Sequence, residues 1–293
     1  MPKQVLVTGA SGFVGERFME YNAKKYALEA VSLRKTKVEE IDFSKIETIV
    51  HLAGMAHQMQ KIDDQIYFDV NFHLTTDFAI AAKVAGVKHF IFISTVKVYG
   101  DEPKSGYLDL SSPCHPNDPY GKSKLEAEKA LKKLEDDQFK VSTIRPPLVY
   151  GPKVKGNMIR FLNLAQKNLP IPFKGIENQR SMVFLDNLVE LINAVIDSKT
   201  SGTFIAGDKK PISTSELLET MYDGLNISPR WFKMPGIGIS ILKMLKPQLE
   251  KRLFGSFVID NTETNKILNF NPPFESKDGI LGMTNWFRST LNK

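Results

Sequence analysis

The 293-residue chain has ordinary apolar (42%) and charged (25%) fractions, and is long enough for one large α/β unit or two coupled lobes. Its net charge of +6 rests on scattered Lys and Arg without an aromatic-interleaved stripe, which argues against nucleic acid and for a small anionic ligand. One cysteine, Cys114, excludes an internal disulfide and points to a reducing, cytoplasmic setting. Met1-Pro2-Lys3 leads straight into an apolar strand, so no leader peptide is expected, and no apolar run reaches the ~18 residues of a membrane span. The histidines, His51 and His57 among them, and Cys114 show no metal-ligand spacing, so no metal is expected.

The first half alternates strands and helices. Val5–Thr8 is a short strand, Phe13–Lys25 a helix, Leu28–Leu33 a second strand and Thr48–Leu52 a third. Gln65–Ala85 has helical apolar spacing, His89–Ser94 is a buried strand, Pro119–Leu134 a helix and Val141–Arg145 a strand. This alternation predicts an α/β fold with a doubly wound parallel sheet, its ligand at the carboxyl ends of the strands. After Tyr150, Gly151-Pro152, Gly156, Pro170, Pro172 and Gly175 punctuate shorter elements, with one strand returning near 203–207. Residues 1–150 are therefore read as a cofactor domain and 151–293 as mainly a smaller, interleaved substrate lobe. Trp231–Leu245 is apolar but interrupted by Pro235, Gly236 and Gly238, which predicts a buried segment or a lid, with a membrane-surface helix as the alternative and no stable membrane insertion.

Thr8-Gly9-Ala10-Ser11-Gly12-Phe13-Val14-Gly15 joins the first strand to the first helix. Gly9 permits a tight turn, Gly12 lets the backbone approach a pyrophosphate, and Gly15 lets the helix pack closely. Ser11, Phe13 and Val14 surround the helix N-terminus, whose N–H groups suit phosphates. At the end of the second strand, Arg34 and Lys35 stand where an NAD-preferring site places an acid. Two cations suit a ribose 2′-phosphate, so NADP(H) is expected over NAD(H). Asp42 and Phe43 are candidates to hold the adenine, and the run His51-Leu52-Ala53-Gly54 lets the cofactor approach the third strand.

Tyr120 and Lys124 are four apart on one helix face. A neighbouring ammonium, with an oxidised nicotinamide, stabilises a phenolate, which makes Tyr120 a usable proton carrier. The glycine loop, His51–Gly54, Ser94-Thr95-Val96-Lys97-Val98-Tyr99-Gly100, Tyr120–Lys124 and Arg145–Pro152 together resemble the extended short-chain dehydrogenases of the NAD-dependent epimerase/dehydratase family, in that family's order and over essentially the whole chain. The resemblance implies a Rossmann-type fold. It implies Thr95 as a hydrogen-bond donor to the reacting oxygen, Ser94 and Pro147 beside the cofactor, and Lys97 near the substrate. It extends to the nucleotide-sugar members, where Asn157 and Arg180 match groups that meet a diphosphate, Phe173 lies in the strand along the base, and Arg252 matches a second phosphate-clamping arginine. It also implies a homodimer through a four-helix bundle, for which Leu125, Leu131 and Leu134 are expected to form part of an uncovered apolar stripe.

Of the three reactions common in such enzymes, dehydration needs an Asp-Glu pair after the catalytic Thr, and Val96-Lys97 stand there instead. The Arg34-Lys35 pair favours exchangeable NADPH, hence 4-keto reduction. The resemblance is nearest to bacterial reductases of UDP-4-keto-6-deoxy-N-acetylhexosamines, which supply surface-polysaccharide precursors. A UDP-hexose or UDP-N-acetylhexosamine 4-epimerase is the alternative. A non-catalytic NADP-binding sensor has no need of an intact Thr95, Tyr120 and Lys124.

Overall fold

Val5, Leu6 and Val7 alternate between the two faces of the first strand. All are fully buried, which requires cover on both sides of the sheet. The computed structural model describes residues 2–56, 62–100 and 106–291, and the side chains of Ile239, Leu242, Gln248, Leu249 and Arg252 lie outside the description, as does His57. The chain runs β1 (Gln4–Thr8), α1 (Phe13–Asn22), β2 (Ala27–Val31), β3 (Thr48–His51), α2 (Asp64–Phe68), α3 (Leu74–Val84), β4 (His89–Ile93), β5 (Tyr107–Leu108), α4 (Pro119–Leu134) and β6 (Lys140–Arg145). It continues through β7 (Leu148–Tyr150), α5 (Asn157–Gln166), β8 (Met182–Phe184), α6 (Leu185–Ser198), β9 (Gly202–Ile205), α7 (Thr214–Leu225), α8 (Gly236–Leu245), α9 (Pro247–Phe254), β10 (Val258–Ile259), α10 (Thr262–Ile267) and α11 (Ser276–Leu291).

Six strands form one sheet in the order β2-β1-β3-β4-β6-β9, every neighbouring pair parallel. One face packs Val5, Val7, Val50, Ile91 and Ile144 against α1 and α6. The other packs Leu6, Ile49, Phe90 and Phe92 against α3 and α4. This is the doubly wound Rossmann arrangement, and the strand order reverses between β1 and β3. The crevice of such a sheet opens there, beyond Thr8 and His51.

A separate core lies beyond the sheet, built from α5, α7 and α11 with Tyr150, Phe173 and Phe184. Two short parallel pairs, β7–β8 and β5–β10, border it. Asp208 ties this part to the sheet: its buried carboxylate accepts from the Tyr150 hydroxyl at 2.7 Å, Phe184 N at 2.9 Å and the Asn187 amide at 2.7 Å. Burial pushes that carboxyl up from its ordinary range, while the three donors oppose the shift.

The long helix expected over Gln65–Ala85 is broken into α2 and α3 by a π-helical turn, Asp69–His73. Such a turn accommodates one extra residue within an otherwise continuous helix, and the stretch reads in sequence as a single helix. Leu131 is fully buried in the sheet-side core and cannot belong to an uncovered stripe. Trp231 packs on Tyr222 at 5.8 Å, but the expected burial of the segment that follows is not found, since Ile237, Ile241, Met244 and Leu245 are exposed.

Candidate active site

The loop after β1 closes with Gly12 N donating to Gly9 O at 2.9 Å. Gly9 has φ of +70°, and a Cβ there would meet Ala53 N at 2.6 Å, so the turn and the end of β3 pack backbone to backbone at the crevice. A Cβ on Gly15 would meet Gly9 O at 2.2 Å. The close packing that Gly15 permits is thus against the loop itself. Gly12 begins α1 without a side-chain cap, and only Gly9 O, at 3.1 Å, lies near where its Cβ would be. The first-turn amides beside Ser11, Phe13 and Val14 therefore open onto a cradle that fits phosphates of a nicotinamide dinucleotide.

Arg34 and Lys35 are exposed at the end of β2, where they line a cleft of about 840 Å³ together with Lys37 and Asp77. Lys37 is a third cation there. The Asp42 carboxylate accepts from Ser44 N at 2.9 Å, a loop-capping contact that holds it below its ordinary value. Phe43 is turned into the core, its ring centre 5.7 Å from that of Phe78. Of the pair expected at the adenine, Phe43 therefore serves the core, and the Asp42 carboxylate caps the loop.

His51 is fully buried between Thr8 Oγ1 and Thr75 Oγ1, each at 3.0 Å, and burial pushes it down to about 3. It is a neutral pillar under Leu52 and Ala53. Ala53 N donates to Thr8 Oγ1 at 3.1 Å, which fixes this strand end beside the glycine loop.

Tyr120 and Lys124 occupy the first turns of α4, which Asp118 caps by accepting from Gly121 N at 2.7 Å. A Cβ on Gly121 would lie 2.8 Å from Lys97 O, so glycine lets this helix end abut the turn Val96–Tyr99 that follows β4. The approach brings Thr95 beside the Tyr120 phenol. Burial raises the phenol to about 12 and the Thr95 contact opposes it. The expected depression by Lys124 is absent because that ammonium points elsewhere: it donates to Ile93 O at 2.8 Å and lies 4.4 Å from the Phe92 ring centre. Burial brings Lys124 down to about 8, with Glu128 opposing the fall. A Cβ on Gly54 would come within 3.2 Å of Lys124 Nζ, so β3's exit and α4 face each other across this site.

Two groups were not singled out in the sequence. Asn71, in the π-helical turn, accepts from Met55 N at 2.8 Å and donates to Met55 O and Ser123 Oγ, each at 3.1 Å. Glu128 accepts from Ser94 Oγ and from Arg145 Nε and Nη2, the latter at 2.5 Å, while Arg145 Nη1 donates to the Tyr99 hydroxyl at 2.7 Å. Ser94 is thereby committed to Glu128, not turned to a ligand. Glu128 lies four residues after Lys124, a spacing that was available as a signal; the extra residue that places Asn71 was not. Pro147 is buried just after β6.

The Lys97 ammonium pairs with Asp118 at 2.5 Å at the mouth of the site. Asn157 is exposed at the start of α5. Phe173 is buried 6.0 Å from Phe254 and its carbonyl accepts from Ser215 Oγ at 2.7 Å, so the residue matched to a base-binding strand serves the lobe core. Arg180 Nη1 donates to Lys251 O at 3.3 Å and Gly255 O at 3.1 Å, closing the end of α9. Arg252 falls in α9 with its side chain outside the described residues. Among the described residues no cluster of His, Cys, Asp or Glu is arranged for a metal.

Residues 5–207 match the NAD dependent epimerase/dehydratase family. A UDP-glucose 4-epimerase of Vibrio cholerae is 32% identical over an alignment covering 100% of this chain and 98% of that protein. Among solved structures, UDP-glucuronic acid 4-epimerase from Bacillus cereus in complex with NAD superposes with a TM-score of 0.75 at 20% identity, covering 98% of this chain and 99% of that one. RMD from Pseudomonas aeruginosa complexed with NADPH superposes at 0.77 and 16% identity, covering 99% of each.

Proposed function

Because the chain belongs to the NAD dependent epimerase/dehydratase family, we propose that it works at C4 of a nucleotide-linked sugar, by NADPH-dependent reduction of the 4-keto group of a UDP-linked 4-keto-6-deoxy amino sugar. The observation that carries this reading is the juxtaposition of Thr95, Tyr120 and the buried Lys124 beyond the carboxyl end of β4. The nicotinamide, when bound, supplies the hydride.

In this reading Tyr120, a protonated phenol throughout the neutral range, donates the proton to the C4 oxygen as that oxygen gains negative charge, and Thr95 donates a second hydrogen bond to it. Lys124, held by Ile93 O, is assigned to the ribose hydroxyls of the cofactor. Gly9, Gly12, Gly15 and the start of α1 hold the pyrophosphate, Arg34 and Lys35 the 2′-phosphate, and Leu52, Ala53 and Gly54 flank the dinucleotide. Lys97 and Asn157 are assigned to the sugar and its diphosphate, with Arg180 and Arg252 as the arginines that would clamp the phosphates. Val96 and Lys97 offer no carboxylate pair for dehydration.

A second reading, a UDP-sugar 4-epimerase, is favoured by the name of the full-length Vibrio relative. Arg34 and Lys35 favour reduction, since an exchangeable NADPH serves net reduction whereas epimerisation returns its hydride. Product analysis decides. With NADPH and UDP-4-keto-6-deoxy-N-acetylglucosamine, the expected result is stoichiometric NADPH oxidation and a 4-hydroxy sugar. With UDP-N-acetylglucosamine alone, no C4 epimer is expected. An epimer in the second incubation with no NADPH oxidation in the first replaces the first reading by the second. The reading includes a homodimer, supported by exposed Ile66, Ile80 and Val84 on α2 and α3; sedimentation showing only monomer at micromolar concentration removes it.

A further inference from the structure

Lys and Arg are numerous throughout the chain, but their excess over acids is not evenly spread. Between Arg230 and Phe254 there are six cations and one acid, Glu250, a net of +5 out of the chain's +6. Within this segment lies α8, packed against α9. Its residues Ile237, Ile241, Met244 and Leu245 recur at i, i+4, i+7 and i+8, one stripe roughly 100° wide. All four face solvent, with 74%, 49%, 75% and 68% of their surfaces exposed, and Phe232 adds 45% nearby. Lys243 falls on the far side of the helical wheel from that stripe, and Lys246 follows as the exposed residue between α8 and α9.

The segment is anchored at both ends. Phe232 N donates to Ile171 O and Ile171 N to Arg230 O, both at 3.0 Å, next to Phe173. At the other end, Arg180 closes α9 through Lys251 O and Gly255 O. An apolar stripe with a cationic opposite face, on a helix held outward by its two ends, matches the chemistry of an interfacial helix. Among the described residues no helix is long and apolar enough to cross a membrane, so the geometry suits lying in the headgroup plane.

We propose that α8 and the lysines around it form a docking surface for an anionic lipid bilayer. The aliphatic stripe enters the boundary between headgroups and acyl chains, and Lys233, Lys243 and Lys246 meet the phosphates of acidic lipids. The Phe173–Arg180 part of the lobe then sits close to the membrane surface. The inference rests on no step of the proposed reaction, and its test reads no turnover.

The test is flotation of the intact chain with vesicles of phosphatidylcholine alone and of phosphatidylcholine mixed with phosphatidylglycerol, at low and raised salt. The parent is expected to float with the acidic vesicles, much less with the neutral ones, and less at raised salt. Ile241→Glu/Met244→Glu is expected to abolish flotation. Lys243→Glu/Lys246→Glu is expected to reduce it by on the order of fivefold or more per lysine removed. Both pairs lie on exposed surface, so thermal melting and NADPH titration should match the parent, which separates lost docking from lost folding. Parent protein that stays unbound with acidic vesicles overturns the proposal. So does Ile241→Glu/Met244→Glu floating like the parent, or that variant dissociating an oligomer while the parent binds no lipid.

Discussion

The side chains gathered around Tyr120 are held by buried partners, whereas those matched to the substrate in the lobe are exposed or engaged in packing. Thr95 is held by the turn that follows β4, Lys124 by Ile93 O, and Ser94 by the Glu128–Arg145 pair. In the lobe, Asn157 stands in solvent, Phe173 lies in the core, and Arg180 closes a helix end. The difference teaches where positioning comes from. Around Tyr120, the sheet and α4 set the geometry before a ligand arrives, which is what the proposed role of Tyr120 as proton carrier requires. In the lobe, ligand contacts must be gained by rearranging side chains that already have partners, so binding there is expected to be softer to substitution.

The largest effect should come from Tyr120→Phe. The ring stays and the transferable proton goes, so turnover should fall by about 10²–10⁴-fold with NADPH affinity unchanged. Near-parent turnover in stopped-flow or steady-state assays would assign the proton to another group. Next in size is Arg145→Ala, which leaves the Glu128 carboxylate buried without its partner. Urea unfolding should show a loss of about 3–5 kcal/mol, and a parent-like midpoint would mean that the pair does not stiffen the site.

A smaller change is expected in pH dependence. Lys124 is charged below about 8 and loses its charge as pH rises through that value, so turnover should decline on that alkaline limb. Glu128 favours the ammonium, so Glu128→Gln should move the limb to lower pH, as read from kcat/KM profiles; an unmoved limb detaches Glu128 from Lys124. Arg34→Ala should weaken NADPH binding by about 1–3 kcal/mol and leave NADH binding unchanged. Equal affinity for both cofactors in the parent, by fluorescence titration, removes the 2′-phosphate assignment.

The smallest expected effect is in the lobe. Arg180→Ala should raise KM for the nucleotide sugar by on the order of tenfold, with kcat lowered less and NADPH affinity unchanged. An unchanged KM would mean that Arg180 serves only the end of α9. An effect as large as that of Tyr120→Phe would erase the contrast between the two regions.

What the residues alone determined was local and periodic. Strand-loop-helix order placed the glycine loop, the Tyr120–Lys124 spacing placed both side chains on one helix face, and continuous apolar strands alternating with helices implied a sheet covered on both faces. Those features depend on neighbours within a few positions, so they survive in a linear reading. The tertiary structure decided the rest. That Phe43 and Phe173 are core residues depends on Phe78 and Phe254, which are distant in sequence. That Ser94 serves Glu128 depends on α4 lying beside β4, and that Asn71 reaches Met55 and Ser123 depends on a π-helical turn. The exposed stripe of α8 was equally invisible in composition, because an apolar residue is inside or outside only by virtue of what the remainder of the chain packs against it.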